Sequence, residues 1–459
     1  MPFLFDATEV DDPWDGAIVI ALAQPFKLET STGRSQEPEA SSQFEDLGYD
    51  SGLRRLDMNR RAFLTTAAMT PILASAFESL RAQTTGGRLF YVGTYTNNAA
   101  GSKGIYAWRF DAAAGKVTSV GLAAETDSPS WIVVHPNKRF LYAANELPPP
   151  EAGGPTGAVT AFSIDAASGK LTQIGRVKTN GLSPAHMLVD PKGKWAIVGN
   201  YGNAAGSEGT SVAVFAIGDD GKLAETPKAL VPHVPKPKRL DPAAAPPRNG
   251  NPPTSHPHCV LLSPDSKFLF VAEKGFDEVV VYRFDAATGA LTPNTPPSVE
   301  ATRFAAAPRH LAFGKNGKFL YVCYEAGRAV STFAYDASKG TLSPKDTLST
   351  LPPDAPQTGS CAEIEVHPDG KYLYVSNRGH NSLALFAIDP SKGTLTFKDT
   401  FPVGGTPRNF KIDPTGNYVF AEGQNNSVTV LFKIDRPTGV LTKTDATLDS
   451  PAPVCIAFV

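Results

Sequence analysis

Six stretches of 17 residues in this chain align on one another without a gap. They read "SWIVVHPNKRFLYAANE" from Ser130, "AHMLVDPKGKWAIVGNY" from Ala185, "HCVLLSPDSKFLFVAEK" from His258, "RHLAFGKNGKFLYVCYE" from Arg309, "AEIEVHPDGKYLYVSNR" from Ala362 and "RNFKIDPTGNYVFAEGQ" from Arg408. Each is an alternating apolar run, a Pro/Asn/Gly turn and a second apolar run, which predicts a β-hairpin. A third strand such as "EVVVYRFD" or "SLALFAID" follows, then a "TGALT" or "KGTLT" turn into a fourth. Four antiparallel strands recurring about every 50 residues predict propeller blades and exclude a helical solenoid.

A seventh blade is divided between the two ends of this region. "RLFYVGTY", from Arg88 to Tyr95, matches only the second strand of the repeat, and "PVCIAFV", from Pro453 to Val459, supplies the missing first strand. Joining them closes the ring and leaves no open sheet edge. The expectation is therefore an all-β fold, a seven-bladed β-propeller over residues 86–459 closed by its C-terminal strand. A closed ring of this kind is expected to be a monomer.

The rest of the chain differs in character. Residues 1–57 hold 12 acidic against 4 basic side chains, leaving 39 basic against 33 acidic for the remainder. This segment lacks hydrophobic periodicity and reads as a disordered acidic extension. Then comes "MNRRAFLTTAAMTPILASAFESLRAQTTGG", with Arg60-Arg61, an apolar run to Phe77 and a small residue at Ala82. That order predicts a twin-arginine export signal over 58–82, too short for an ordinary spanning helix, and hence a periplasmic or exported protein without stable membrane association once the signal is removed. An export signal belongs at an N-terminus, so Met58 is the expected start. The overall formal charge of −2 offers no general attraction to nucleic acid.

Between the second and third full repeats the spacing grows to 73 residues, from Pro191 to Pro264, and the excess is Pro-rich. Proline at this density forbids a ladder, so 232–257 is expected to be a loop over one face of the ring. Cys259, Cys323, Cys361 and Cys455 fall inside predicted strands without metal-type spacing and are expected to be buried thiols. His135 and His367 precede the turn proline and are expected to be structural. His256-Pro-His258 has no supporting Cys/His cluster, so neither a metal nor a cofactor is expected.

The repeats share one scaffold in the middle and differ at one edge. First positions are Ser130, Ala185, His258, Arg309, Ala362 and Arg408; second positions are Trp131, His186, Cys259, His310, Glu363 and Asn409; last positions are Glu146, Tyr201, Lys274, Glu325, Arg378 and Gln424. With a turn at Asn316-Gly317, Arg309 should face Tyr324 beside Glu325. The first strand of a blade lines the central channel, so these edges should meet at one mouth of it. Variation on one rim of a rigid repeat marks a binding site. His258, Arg309, His310, Glu325, Glu363, Arg378 and Arg408, with His186 and Tyr201 beside them, suit an anionic or polyhydroxylated small molecule, because guanidinium matches carboxylate and phosphate in a bidentate way.

"HPHCVLLSPDSKFLFV", "PRHLAFGKNGKFLYVCYE", "AEIEVHPDGKYLYVSNRGH" and "PRNFKIDPTGNYVFAEGQNNSVTV" together resemble the seven-bladed lactonase family of 6-phosphogluconolactonases and fungal carboxymuconate cyclases, over about residues 88–459. The resemblance implies that the family's His, Arg, Glu and Arg active-site set falls on His258, Arg309, Glu325 and Arg378, with Arg408 also matching a family position. The expected activity is hydrolysis of a sugar-derived lactone. Glu325 or His258 would activate water, Arg309 would stabilise the oxyanion, and Arg378 and Arg408 would hold the substrate. The alternatives are a lactonising cyclase acting on an unsaturated dicarboxylate and an exported binding module without catalysis.

Overall fold

In the fourth blade Pro308–Phe313 pairs antiparallel with Phe319–Tyr324, and the turn between them closes with the Gly314 amide donating to the Phe319 carbonyl at 2.8 Å. Gly317 takes φ +68° there, a left-handed conformation open to glycine at little cost. Ala329–Asp336 and Thr341–Ser349 add the third and fourth strands. The computed structural model describes residues 87–147, 157–202, 210–234, 254–303 and 306–459, and within them the same unit occurs seven times as seven four-stranded sheets. We number the blades 1 to 6 by the six repeats and call the divided blade 7.

Blade 7 closes as its sequence predicts. Pro453–Phe458 pairs with Arg88–Thr94 as its innermost strand, and Gly104–Asp111 and Lys116–Glu125 follow outward. The inner strands of all seven blades stand side by side around the axis. Seven apolar clusters follow, one for each seam between adjacent blades. Phe270, Phe268 and Tyr335, for example, seal blade 3 against blade 4, while Phe90, Phe420 and Ile456 seal blade 6 against blade 7. Each such aromatic contributes about 1.5–3 kcal/mol on burial, so the ring is held by its seams.

Polar side chains repeat across the seams as well. In blade 1 the Asn137 amide donates to His135 Nδ1, which leaves Nε2–H to donate to the Gly193 carbonyl of blade 2 at 2.9 Å. His367 makes the matching contact between blades 5 and 6, its Nε2 2.8 Å from the Gly416 carbonyl and its Nδ1 2.8 Å from Asp369 Oδ1. Both histidines are structural, as their place before proline predicts. The four cysteines are buried and unpaired. No helix among the described residues is long and apolar enough to cross a membrane. The acidic extension and the export signal lie outside the described residues, as does the 235–253 part of the Pro-rich insertion.

Candidate active site

One departure from the expected register shapes the channel mouth. Leu311 faces Val322 and His310 faces Cys323, but Pro308, not Arg309, faces Tyr324. Arg309 is therefore a β-bulge residue, unpaired and turned out of the ladder. The same one-residue slip falls on Ser130, Ala185, His258, Arg408 and Val454, and blade 5 leaves both Ala362 and Glu363 unpaired. Every first position of the repeat is thus a bulge, the device by which a strand re-aims a side chain. Two residues before the bulge in four blades stands a non-glycine in the left-handed region: Ser128, Ser183, Ala307 and Ala452, with φ of 33°, 47°, 60° and 44°. Such strain, of order 1–3 kcal/mol per residue, clusters where geometry serves a site.

The bulged side chains converge. His258, Arg309, His310 and Arg408, with Ser130, Trp131, Glu146, Ala185, Asn409 and Val454, bound a chamber of about 10 Å³, room for about one water molecule. Glu146 also forms a wall of a wider cleft of about 320 Å³, lined otherwise by Tyr95, Asn97, Asn98, Ser183 and Gln424.

On one side of the mouth charges are packed tightly. Glu325 Oε1 takes Lys274 Nζ at 2.9 Å and Arg378 Nη2 at 3.1 Å, while Arg309 Nε lies 3.2 Å from Oε2. That last contact is an ion pair without an aligned hydrogen bond. Burial pushes the Glu325 pKa up, but Lys274, Arg378 and Arg309 outweigh it and hold the carboxyl well below the usual range. Arg309 is 2 % exposed and also donates from Nη1 to the Ala362 carbonyl at 2.6 Å. Burial, then Arg378 and Arg408, lower its pKa to about 10, so it stays cationic at neutral pH. Lys274 donates as well to the Tyr201 hydroxyl at 2.9 Å, and Tyr201 stacks on His256 with ring centroids 4.7 Å apart.

The other side is sparser. Arg408 lies over the Tyr95 ring at 5.1 Å, and the Tyr95 hydroxyl donates to Glu146 Oε2 at 2.7 Å. Burial pulls the Arg408 pKa down, but Tyr95, Glu146 and Glu325 raise it above the usual arginine value. Two histidines occupy the middle. His258 Nδ1 is 3.2 Å from His310 Nε2, and His310 Nδ1 is 3.0 Å from both oxygens of Glu363, which also accepts from Asn409 Nδ2. Desolvation first, then the nearby arginines, keep both histidines well below the ordinary imidazole value, while burial lifts Glu363 to about 7.

Of the residues singled out in the sequence, His258, Arg309, His310 and Arg408 share the chamber. Glu325, Arg378 and Tyr201 meet in the ion cluster beside it. Glu363 stands behind His310. His186 is not in the lining: it stacks on Trp131 at 4.0 Å, accepts from the Val260 amide at 3.4 Å and points Nε2 at Cys259 Sγ. Sequence reasoning left Tyr95, Glu146, Lys274 and Gln424 out of the site, although each holds the last position of its repeat and so carried the same positional signal as Glu325. Among the described residues no group of three or more His, Cys, Asp or Glu is placed to hold a metal ion.

Comparison with known proteins agrees with this architecture. The family model described as a lactonase, seven-bladed β-propeller matches residues 89–458. The chain is 30% identical to the 6-phosphogluconolactonase of Bacillus subtilis over 315 residues, 69% of this chain and 82% of that protein. It is also 30% identical to a 6-phosphogluconolactonase of Formosa agariphila over 319 residues, 66% of this chain and 80% of the other. The solved structure of the periplasmic gluconolactonase of Pseudomonas aeruginosa superposes with a TM-score of 0.70 at 31% identity, covering 81% of this chain and 99% of that one. With its repeats, ring closure and matched span in agreement, this chain belongs to the lactonase family of seven-bladed β-propellers, and is a hydrolase of lactone esters.

Proposed function

We propose that the chain hydrolyses a sugar-derived lactone, of the aldonolactone kind acted on by the 6-phosphogluconolactonases and the gluconolactonase it resembles. One observation carries this reading: a water-sized chamber bounded by two imidazole and two guanidinium groups shares its Glu146 wall with an open cleft of amides and hydroxyls. The cleft suits a polyhydroxylated ring, since Asn97, Asn98 and Gln424 can both donate to and accept from hydroxyls, and Ser183, whose own hydrogen goes to the Leu147 carbonyl, can still accept.

His258 is the better supported of the two candidate bases. Glu325 is held ionised by three cations, and a carboxylate with so depressed a pKa is a weak base. His258 is neutral, and its Nε2 bonds to no described residue. In the proposed step His258 Nε2 takes a proton from water as the water oxygen attacks the ring carbonyl carbon. Arg309 and Arg408 stabilise the oxyanion. Collapse breaks the bond to the ring oxygen, which receives the proton from His258, and the product is the open hydroxy acid. Glu325 acts by holding Arg309, Arg378 and Lys274 in place.

The twin-arginine signal over 58–82 is part of this proposal, and the periplasmic setting of the Pseudomonas gluconolactonase supports it. The test is proton release from glucono-δ-lactone and its 6-phosphate by the wild-type protein and by His258→Ala. A fall in the enzymatic rate of about 10²-fold or more is expected. Rates equal to buffer for both lactones would refute lactone hydrolysis of this kind, and unchanged turnover in His258→Ala would refute the base.

A further inference from the structure

Behind His258 the channel holds a polar chain that ion pairing does not explain. Trp131, His186, Cys259, His310, Glu363, Asn409 and Cys455 all follow directly after the first, bulge-side position of their repeats. Trp131, His310 and Asn409 also touch the chamber, and His310 and Glu363 join into a hydrogen-bonded line that ends on His258. Both are buried, with 3 % and 6 % exposure.

We propose that Glu363 and His310 order the protons of His258, the Glu363 carboxylate setting the tautomer of His310 and His310 setting that of His258. The inference rests on the reading of His258 as general base. The argument is one of donors and acceptors. A carboxylate only accepts, so His310 Nδ1, 3.0 Å from both its oxygens, must carry the hydrogen. A neutral His310 then has a bare Nε2, which must accept from His258 Nδ1 at 3.2 Å. His258 is left with a bare Nε2, the one arrangement in which it can take a proton from water. When it does, the new positive charge is balanced through His310 by Glu363. This is the logic of a Ser-His-Asp triad lengthened by one imidazole.

Protonating Glu363 reverses every bond. The acid then donates to His310 Nδ1, His310 Nε2–H donates to His258 Nδ1, and His258 Nε2 carries a hydrogen and cannot act as a base. The relay is therefore sensitive to pH through Glu363. Several groups face that carboxyl. Asn409 and Lys411 come from the inner strand of blade 6, Glu422 from the next strand, Glu365 from its own, and Arg309 and His310 from blade 4. The thiols of Cys259, Cys323 and Cys455 lie close by. Burial opposes its ionised form, while the Ile364 amide, Arg309 and Lys411 favour it. With Glu363 titrating near about 7, activity should rise with pH across neutrality.

His310 and Glu363 are positioning residues in this scheme, so the test needs more than a loss of rate. In the full-length protein, Glu363→Gln keeps the shape, but its amide can donate to His310 Nδ1 and so favours the unreactive tautomer. The expected result is a fall in kcat on the order of 10²–10⁴-fold with KM within about threefold, and a flattened pH profile between about 6 and 8. Glu363→Asp, which still only accepts, should regain at least about tenfold of the loss. Full kcat in Glu363→Gln, or an unaltered wild-type pH profile in it, would overturn the relay. If turnover survives His258→Ala, the base itself has been misassigned, which is a separate failure. Should the variants not fold, ring-nitrogen NMR of the wild-type protein at pH 8 decides: protons on Nδ1 of both histidines support the relay, and a proton on His258 Nε2 overturns it.

Discussion

The two sides of the channel mouth are built from the same repeat positions and behave oppositely. Blades 3 to 5 place Lys274, Glu325 and Arg378 at the last position, and these three neutralise one another in part around Glu325. Blades 6, 7 and 1 place Gln424, Tyr95 and Glu146 there, and these line an open cleft of about 320 Å³. The charged side draws attention in a sequence, yet its groups are spent largely on each other. The sparser side keeps room beside its amides and hydroxyls, with Glu146 the one charged group among the described residues of its lining. On the proposed reading, charge density marks the scaffold that holds Arg309 and Arg378, and the sparser wall is the one that would meet the substrate.

The largest effect should come from removing the anion at the centre of the charged side. Glu325→Leu leaves Lys274, Arg309 and Arg378 buried without a counter-charge, a loss of about 3–5 kcal/mol of stability by urea unfolding, whereas Glu146→Gln across the mouth should cost less than about 1 kcal/mol. Similar losses would abolish the contrast. The pH dependence carries the same signature. The folded-state pKa of Glu325 is depressed, so its contribution is fully present above the ordinary glutamate value of about 4.3 and is lost as pH falls below it. Glu325→Gln should unfold with a visibly shallower acid dependence than wild type.

Next comes Arg408, which joins the two sides. Among the described residues its guanidinium has no hydrogen-bond acceptor, so Arg408→Met should lower kcat about 10²–10³-fold and shift the unfolding midpoint little. A large loss of stability with kcat intact would place Arg408 with the scaffold instead.

Smaller effects belong to the open wall. Asn97→Leu and Gln424→Leu should each raise KM for glucono-δ-lactone about 2- to 10-fold at constant kcat, the worth of one hydrogen bond. Unchanged KM in both would show that the sugar ring lies elsewhere. The smallest change concerns phosphate. Glu146 is the one charged group among the described residues that line the cleft, and it repels a second anion. Glu146→Gln should therefore improve kcat/KM for the 6-phosphate over the free lactone by a few-fold. A fall in that ratio would break the assignment of Glu146 to the substrate wall.

Much of this was legible in the chain itself. Alternation and turn residues mark each blade, and the orphan strands at Arg88 and Pro453 announce how the ring closes, because an unpaired edge must find its complement. Position in the repeat also located His258, Arg309, Glu325 and Arg378 on one rim. The facing pair of Arg309 and Tyr324 failed for a definite reason. A bulge present in every blade adds no gap to the alignment, so a shared slip in register is invisible to it. His186 was misplaced because its type suggested a ligand contact, while a neighbouring tryptophan claims its face. Lys274 was left out of the site because its partner Glu325 lies 51 residues away in another blade.

What the amino-acid order determined alone is the unit, its number and its closure, since those follow from local periodicity and from the need to pair every strand. Which charges cancel, which histidines meet and which wall stays open were decided only when blades 1 to 7 met around one axis. Those properties depend on ångström distances between side chains from separate repeats and on the exclusion of water between them, and no single repeat contains either.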